Sequence, residues 1–305
     1  MANVLTDALA TETLEAYYTT LQAQMPWYSR VMRVIDNDTP NVTEPDLSGI
    51  TTYASQVASP TPVDITAGKS TTASVARELV LKFTEKEVRD VPNLLQNSAE
   101  MLARRARDTL DSLAHTAIST LDTTAHPEAG SQYAAGAKFC DDFTTGAGDP
   151  VTQSNLGTTA LSASSLSAAL TVARGYLDKS GVKFDWGSVP DDLCLIVPPD
   201  LETTAMDLLS GKMGGSPEIY NGAGLESRSF GARIGDIVVM PEAADANDWF
   251  LWNKAISPLV MWIRQAPTLR VTPSPGTGHV FLYASFEGVV HYRPFEGGVF
   301  MASVA

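Results

Sequence analysis

The chain has 305 residues, of which 44% are hydrophobic and 18% are charged, and its formal net charge is -14. This composition supports a substantial core in one large domain or two modest ones and excludes a disordered chain. The acidic excess argues against broad binding to nucleic acid, because neutralising phosphates requires clustered cations. No apolar stretch approaches the roughly 18 residues of a membrane-spanning helix, and no secretion signal is recognisable.

The charged fraction lies below the roughly 25% of an ordinary soluble domain, which favours a surface that contacts other protein. The two cysteines, Cys140 and Cys194, have neither metal-ligand nor redox spacing, which favours a reducing environment.

The first third of the chain predicts an arm followed by an excursion. Residues 1–30 carry apolar side chains at loosely helical spacing, which predicts a short helix inside an arm. Residues 34–73 are rich in Thr, Ser and Pro and cannot form much core of their own. Strand character at 50–53 and 74–83 predicts a long two-stranded excursion, which would need a partner to lie on.

Helical patterns dominate the middle of the chain. Residues 93–121 carry a narrow apolar stripe at three- and four-residue spacing, which predicts a helix about 40 Å long lying across a sheet. A capping box at Thr84 and Glu87 predicts a short helix before it. A second amphipathic helix is predicted over 162–179, and a short strand near 137–140.

The remainder is mainly strand, so the fold class is α+β. Residues 193–197 are apolar and run into two prolines, which predicts a buried strand with an abrupt end. Asp200 is expected to cap a helix over 201–210, and the glycine-dense residues 211–224 predict a mobile loop. Gly288 predicts a bulge in the last long strand. The strands predicted after residue 233 are 234–241, 249–252, 260–272 and 279–292.

Catalytic motifs are largely missing. The pairs Asp141–Asp142 and Asp191–Asp192 could bind a cation or act as acid and base, although such pairs are more often solvated loop charge. Cys194 lies inside an apolar strand, where packing is the expected role of a thiol. We therefore predict no enzymatic activity, no cofactor and no metal.

The order of these elements resembles the major capsid protein of tailed bacteriophages, with the Hong Kong 97-type fold, over essentially the whole chain. The residues that carry the resemblance are 193–202, 235–241, 249–251 and 292–299. The resemblance implies an N-terminal arm, an extended loop (the E-loop), a peripheral domain with a long spine helix, and an axial α/β domain. The implied ranges are 1–38 for the arm, 39–83 for the E-loop, 84–154 with 259–278 for the peripheral domain, and 155–258 with 279–305 for the axial domain.

The implied function is a non-catalytic structural one, self-assembly as pentamers and hexamers into an icosahedral head that encloses double-stranded DNA. Implied partners are portal and decoration proteins, and also a separate scaffolding protein, because Met1 is present and no removed N-terminal segment is expected. Contact with packaged DNA would be weak and non-specific, and no contact with a membrane is implied. The implied location is the virion capsid, assembled in the bacterial cytoplasm.

Candidate contacts between subunits come from the predicted loops and the long helix. Arg104, Arg105 and Arg107 could meet a neighbour's acidic loop, or form a solvated helix face with intrahelical pairs. Lys69 lies in the presumed E-loop, but no pattern predicts that it joins subunits covalently. The full set of candidates is Tyr53, Lys69, Arg77, Arg104, Arg105, Arg107, Lys212, Met213 and Asn221.

Two other functions stay open. One is an encapsulin-like compartment of the same fold that holds an enzyme cargo. The other is a cytosolic hydrolase with a site near Asp191, Asp192 and residues 211–224, which would need a pocket with converging polar groups.

Overall fold

A computed structural model gives the fold. It describes residues 7–23, 26–45, 69–91, 93–125, 138–144, 152–177, 183, 185–186, 190–210, 234–243, 245–274, 278–293 and 298–303. The helices are α1 (Asp7–Gln22), α2 (Glu85–Asp90), α3 (Leu94–Ser119), α4 (Ala163–Ala173) and α5 (Glu202–Ser210). The strands are β1 (Arg33–Asp36), β2 (Asn41–Pro45), β3 (Lys69–Ala73), β4 (Val75–Thr84), β5 (Asp142–Thr144), β6 (Thr152–Ser154), β7 (Leu156–Gly157), β8 (Leu193–Val197), β9 (Asp236–Val239), β10 (Trp249–Asn253), β11 (Leu259–Ser274), β12 (His279–Tyr292) and β13 (Val299–Ala302). Short 3-10 helices lie at Trp27–Arg30, Pro190–Asp192 and Pro199–Leu201.

A four-stranded sheet and the long helix form one half of the fold. The strand order is β1-β11-β12-β4, with β1 parallel to β11 and the other neighbours antiparallel. The 26-residue α3 packs its apolar stripe, including Leu102, against Leu282 of β12, and α1 adds the fully buried Tyr17 to the same cluster. The predicted long helix across a sheet is therefore confirmed.

A five-stranded sheet forms the second half, with the order β7-β13-β10-β8-β9. Every residue of β8 and β10 is buried, because the sheet is covered on both faces. One face packs against α4 and α5, and the other packs against the C-terminal half of α3. The buried strand predicted at 193–197 is confirmed as β8.

Three local predictions differ from the structure. Asp200 does not cap the helix: a 3-10 turn begins at Pro199, whose ring fixes a helical φ, and Asp200 lies inside that turn. Helix α4 ends at Ala173, well before the predicted residue 179, and the chain then turns so that Tyr176 packs on Trp186. Near residue 138 the structure shows an isolated bridge to Ala125 in place of the predicted strand.

The predicted arm is part of the folded body wherever the structure describes it. Apolar side chains make this favourable, since Tyr28, Val31 and Met32 enter the core that joins the two sheets. The following strand β1 pairs with β11.

Hydrogen-bonded strand pairs cross two of the predicted borders further along the chain. The predicted E-loop extended to residue 83, but β4 pairs with β12 along its whole length. The predicted border between residues 278 and 279 divides the antiparallel pair β11 and β12. The division into domains itself stays a prediction.

Candidate intersubunit surface

Strands β2 and β3 form a two-stranded ribbon, which is the described part of the predicted excursion. They pair antiparallel from Asn41 opposite Ala73 to Pro45 opposite Lys69. Within the described part of the chain, neither strand pairs with a third strand. Such a ribbon is marginally stable alone, and its unpaired amides and carbonyls offer a template for another chain. The ribbon is therefore a candidate contact with a neighbouring subunit.

Strand β4 adds an apolar edge next to the ribbon. It is the last strand of the four-stranded sheet, and Val75, Leu79 and Val80 are each more than 40% exposed. These residues were not among the sequence-based candidates. The sequence held a partial signal, because the run Leu79, Val80, Leu81 places apolar side chains on both faces of the strand.

Aromatic side chains line the sheet face opposite α3. Phe281 stacks on Tyr283 with ring centroids 5.9 Å apart, and His279 meets Phe281 edge-on at 6.5 Å. The guanidinium of Arg270 lies 5.4 Å from the centre of the Tyr283 ring. Aromatic and arginine side chains are enriched in protein interfaces, so this strip can contribute contact area.

Arg77 is held mainly by its own subunit. Its guanidinium donates to the carbonyls of Val75 and Gly288, at 3.1 and 3.0 Å, and lies 5.8 Å from the centre of the Phe286 ring. Its predicted contact with a neighbour would have to compete with these bonds, and that contact stays a prediction.

The arginines of α3 make contacts along the helix. Arg104 lies 3.6 Å from Glu100 and Arg105 lies 3.8 Å from Asp108, and both pairs are exposed. Arg107 is half-buried, and together with His115 it opposes the rise in the pKa of Asp111 that burial causes. The intrahelical alternative therefore describes Arg104 and Arg105 in this structure, and contact with a neighbour's acidic loop stays a prediction.

The other candidates are described only in part. Lys69 is the first residue of β3, opposite Pro45. Tyr53, Lys212, Met213 and Asn221 lie outside the described residues.

A groove of about 520 Å³ runs between α3 and the end of β12. Its wall carries Arg105, Asp108 and Glu242 around an apolar floor that includes Val290. Beside it, Nδ1 of the buried His115 lies 3.2 Å from a carboxylate oxygen of Glu242. The groove is open and its charges are of both signs, which suits contact with protein better than binding of one small anion or cation.

The side chains that could carry chemistry lie apart. No three His, Cys, Asp or Glu side chains in the described ranges lie close enough together to hold a metal ion. Cys194 is fully buried in the core cluster that joins the two sheets, so its predicted packing role is confirmed, and burial raises the pKa of this thiol to about 12. Asp191 and Asp192 lie in the 3-10 helix that leads into β8. Among the described helices, none has the length and apolarity that crossing a membrane requires.

The sequence profile described as "Phage capsid protein" matches residues 69–291, well over half of the chain. The chain belongs to the phage capsid protein family. This capsid protein is therefore a shell-forming structural protein, and its place is the virion capsid. No curated protein matches it in a sequence search.

Solved structures with the same fold as this capsid protein come from several sources. The procapsid of bacteriophage JBD30 has a TM-score of 0.55 at 12% identity, covering 100% of this chain and 77% of that chain. The virus-like particle from Pyrococcus furiosus has a TM-score of 0.54 at 10% identity, covering 96% of this chain and 98% of that chain. The capsid of a native GTA particle has a TM-score of 0.53 at 10% identity, covering 100% of this chain and 94% of that chain. Identities this low show the fold alone, and that fold is the predicted Hong Kong 97-type capsid fold.

Proposed function

We propose that this capsid protein is the main building block of an icosahedral phage head, in which pentamers and hexamers of the chain enclose double-stranded DNA. The observation that carries the proposal is the β2–β3 ribbon, whose strands pair only with each other among the described residues. In a closed shell those strands gain partners on neighbouring copies. The apolar edge of β4 would extend the same contact.

The proposed role is structural and without catalysis. Membership of the capsid family supports it, and so does the complete burial of Cys194 in β8. The net charge of -14 supports weak, non-specific contact with packaged DNA, because a wall of this charge repels phosphates on average.

The proposed partners beyond other copies of the chain are a separate scaffolding protein, the portal and decoration proteins. Assembly would take place in the bacterial cytoplasm. These partners follow from the resemblance of the whole chain to phage capsid proteins.

Electron microscopy of the purified protein, alone and with a co-expressed scaffolding protein, tests the proposal. We expect closed icosahedral particles in at least one of the two preparations. A protein that stays monomeric in both, and that turns over a substrate, would contradict a capsid function and favour the hydrolase alternative. Particles that contain an enzyme and no DNA after infection would favour the encapsulin-like alternative.

A further inference from the structure

Ser74, the residue between β3 and β4, joins the two strands of the ribbon at the end nearest the body, which we call the root. Its amide donates to the carbonyl of Pro40 at 3.0 Å, and its hydroxyl oxygen lies 2.9 Å from the same carbonyl oxygen. Pro40 directly precedes β2. The ribbon is thus joined to the body through two short stretches of backbone, residues 37–40 and residue 74, and rotation about their bonds would change its direction.

A β-bulge lies in the body opposite this root. The register of β11 against β12 shifts between Ile263 and Gln265, which makes Arg264 the additional residue facing Glu287 and Gly288. A Cβ atom at Gly288 would lie 3.1 Å from the carbonyl oxygen of Trp262, so a glycine suits the close approach of the strands here. The predicted bulge is therefore present, but the additional residue is on β11. Bulges commonly redirect a side chain, and here that side chain is Arg264.

Arg264 connects both sides of the root to one carboxylate. Its Nη1 donates to the two oxygens of Glu287, at 2.9 and 3.0 Å, and its Nε donates to the carbonyl of Asp38 at 3.1 Å. Glu287 also accepts a hydrogen bond from the hydroxyl of Ser74. The contacts therefore form a chain from Asp38 through Arg264 and Glu287 to Ser74, and on to the carbonyl of Pro40.

This chain of contacts differs from the surface ion pairs of α3. The Glu287 side chain is 16% exposed, whereas Glu100 in its pair with Arg104 is 41% exposed. Charge-assisted bonds with two oxygens of one carboxylate fix geometry better than a single exposed pair does. A further bond, 2.9 Å between Thr72 Oγ1 and His291 Nδ1, holds β3 to the end of β12.

We propose that Arg264, Glu287 and Ser74 are positioning residues that fix the direction in which the β2–β3 ribbon leaves the body. The inference rests on the proposed function, because it assigns to this direction a role in reaching the neighbouring subunit. A ribbon already held in one direction loses less conformational freedom when it binds, so shells form more readily. Without the carboxylate the ribbon samples several directions, and fewer encounters between subunits are productive.

Hydrogen–deuterium exchange of the full-length, unassembled protein measures the first step, which is whether these residues hold the ribbon in place. In Glu287→Ala we expect the amides of 38–45 and 69–74 to exchange roughly threefold to tenfold faster, the effect of losing one or two net hydrogen bonds. Glu100→Ala is the matched control, since it removes an exposed ion pair from α3 and should leave these amides unchanged. If Glu287→Ala fails to fold, Ser74→Ala removes a single hydroxyl and should still accelerate exchange. Unchanged exchange in the folded variants would overturn the proposal.

The second step is whether a fixed direction of the ribbon promotes assembly. Sedimentation and electron microscopy measure shell formation under the conditions in which the wild-type protein assembles. Fewer particles from Glu287→Ala than from Glu100→Ala would support the positioning role. Equal yields, despite faster exchange in the ribbon, would refute that role while leaving the capsid function intact. Failure of the wild-type protein itself to assemble would instead count against the proposed function, and the exchange result would still stand.

Discussion

The indole nitrogen of Trp252 donates to the carbonyl oxygen of Val31, 2.8 Å away and 221 positions earlier in the chain. Both residues are buried in the cluster that joins the two sheets. Trp27 makes a similar bond, from its indole nitrogen to the carbonyl of Val239 at 2.8 Å. The segment that follows α1 thus holds the four-stranded and five-stranded sheets together.

Trp252→Phe should lower the free energy of unfolding by about 1–3 kcal/mol, because the buried carbonyl of Val31 loses its donor. Urea denaturation followed by circular dichroism measures this. Trp27→Phe is the comparison, since it removes an equivalent bond at a half-buried position and should cost less. An equal loss in both variants would contradict the argument from burial.

Adjacent residues of α3 should respond very differently to truncation. Leu102 is 1% exposed and packs between α1 and the sheet, so Leu102→Ala should destabilise the protein by about 2–5 kcal/mol. Met101 is 48% exposed, and Met101→Ala should change stability by less than about 0.5 kcal/mol. Chemical denaturation of the unassembled protein measures both. A large effect at Met101 would mean that α3 lies in a different orientation on the sheet.

Neither cysteine should react with a thiol reagent in the native protein. Cys140 and Cys194 are buried, and with a pKa of about 12 only roughly one Cys194 in 10,000 would be a thiolate at pH 8. Modification measured by mass spectrometry should follow the rate of unfolding and rise sharply in denaturant. Rapid labelling of the folded protein would show that the five-stranded sheet is open to solvent.

The contribution of Glu287 to stability should depend on pH. The hydrogen bond from Ser74 and then the contacts with Arg264 hold the pKa of Glu287 below its ordinary value. The stabilisation is therefore complete above the ordinary pKa of about 4.3 and is lost as the pH falls through the lower, folded-state value. The difference in unfolding free energy between wild type and Glu287→Gln should shrink between pH 6 and pH 3. A difference that grows towards low pH would reverse the assigned sign.

Shortening the ribbon should separate folding from assembly. We expect replacement of residues 46–68 by Asn-Gly, which favours a two-residue hairpin turn between β2 and β3, to leave the melting temperature within a few degrees of wild type. Shells should fail to form, because the predicted E-loop contact with a neighbour is lost. Circular dichroism and electron microscopy measure the two outcomes. Loss of the folded body would show that residues 46–68 belong to its core.

Local patterns were sufficient for several elements and for the fold class. The apolar spacing of α3 and the apolar run of β8 are both set by residues close in sequence, since helix periodicity and strand burial are local signals. The order of such elements also carried the resemblance that led to the capsid fold. The capping box at Thr84 and Glu87 was likewise readable, because its two bonds span three residues.

The candidate contact surface was only partly predictable, because part of it depends on contacts between residues that are far apart in the sequence. The polar, two-stranded excursion was recognised, but the exposed edge of β4 depends on its pairing with β12, about 200 residues away. The place of Val31 beside Trp252 depends on packing across the whole chain.

The sequence by itself determined where the long helix and the buried strand β8 lie, because these follow from periodicity, and the order of its elements carried the resemblance to capsid proteins. The tertiary structure decided which strands are neighbours, which apolar side chains stay exposed, and how the ribbon is held. Arg264 shows the difference: a bulge in β11 brings its guanidinium to Glu287 and to Asp38 at once. No local pattern encodes that meeting, since it depends on three segments that only folding brings together.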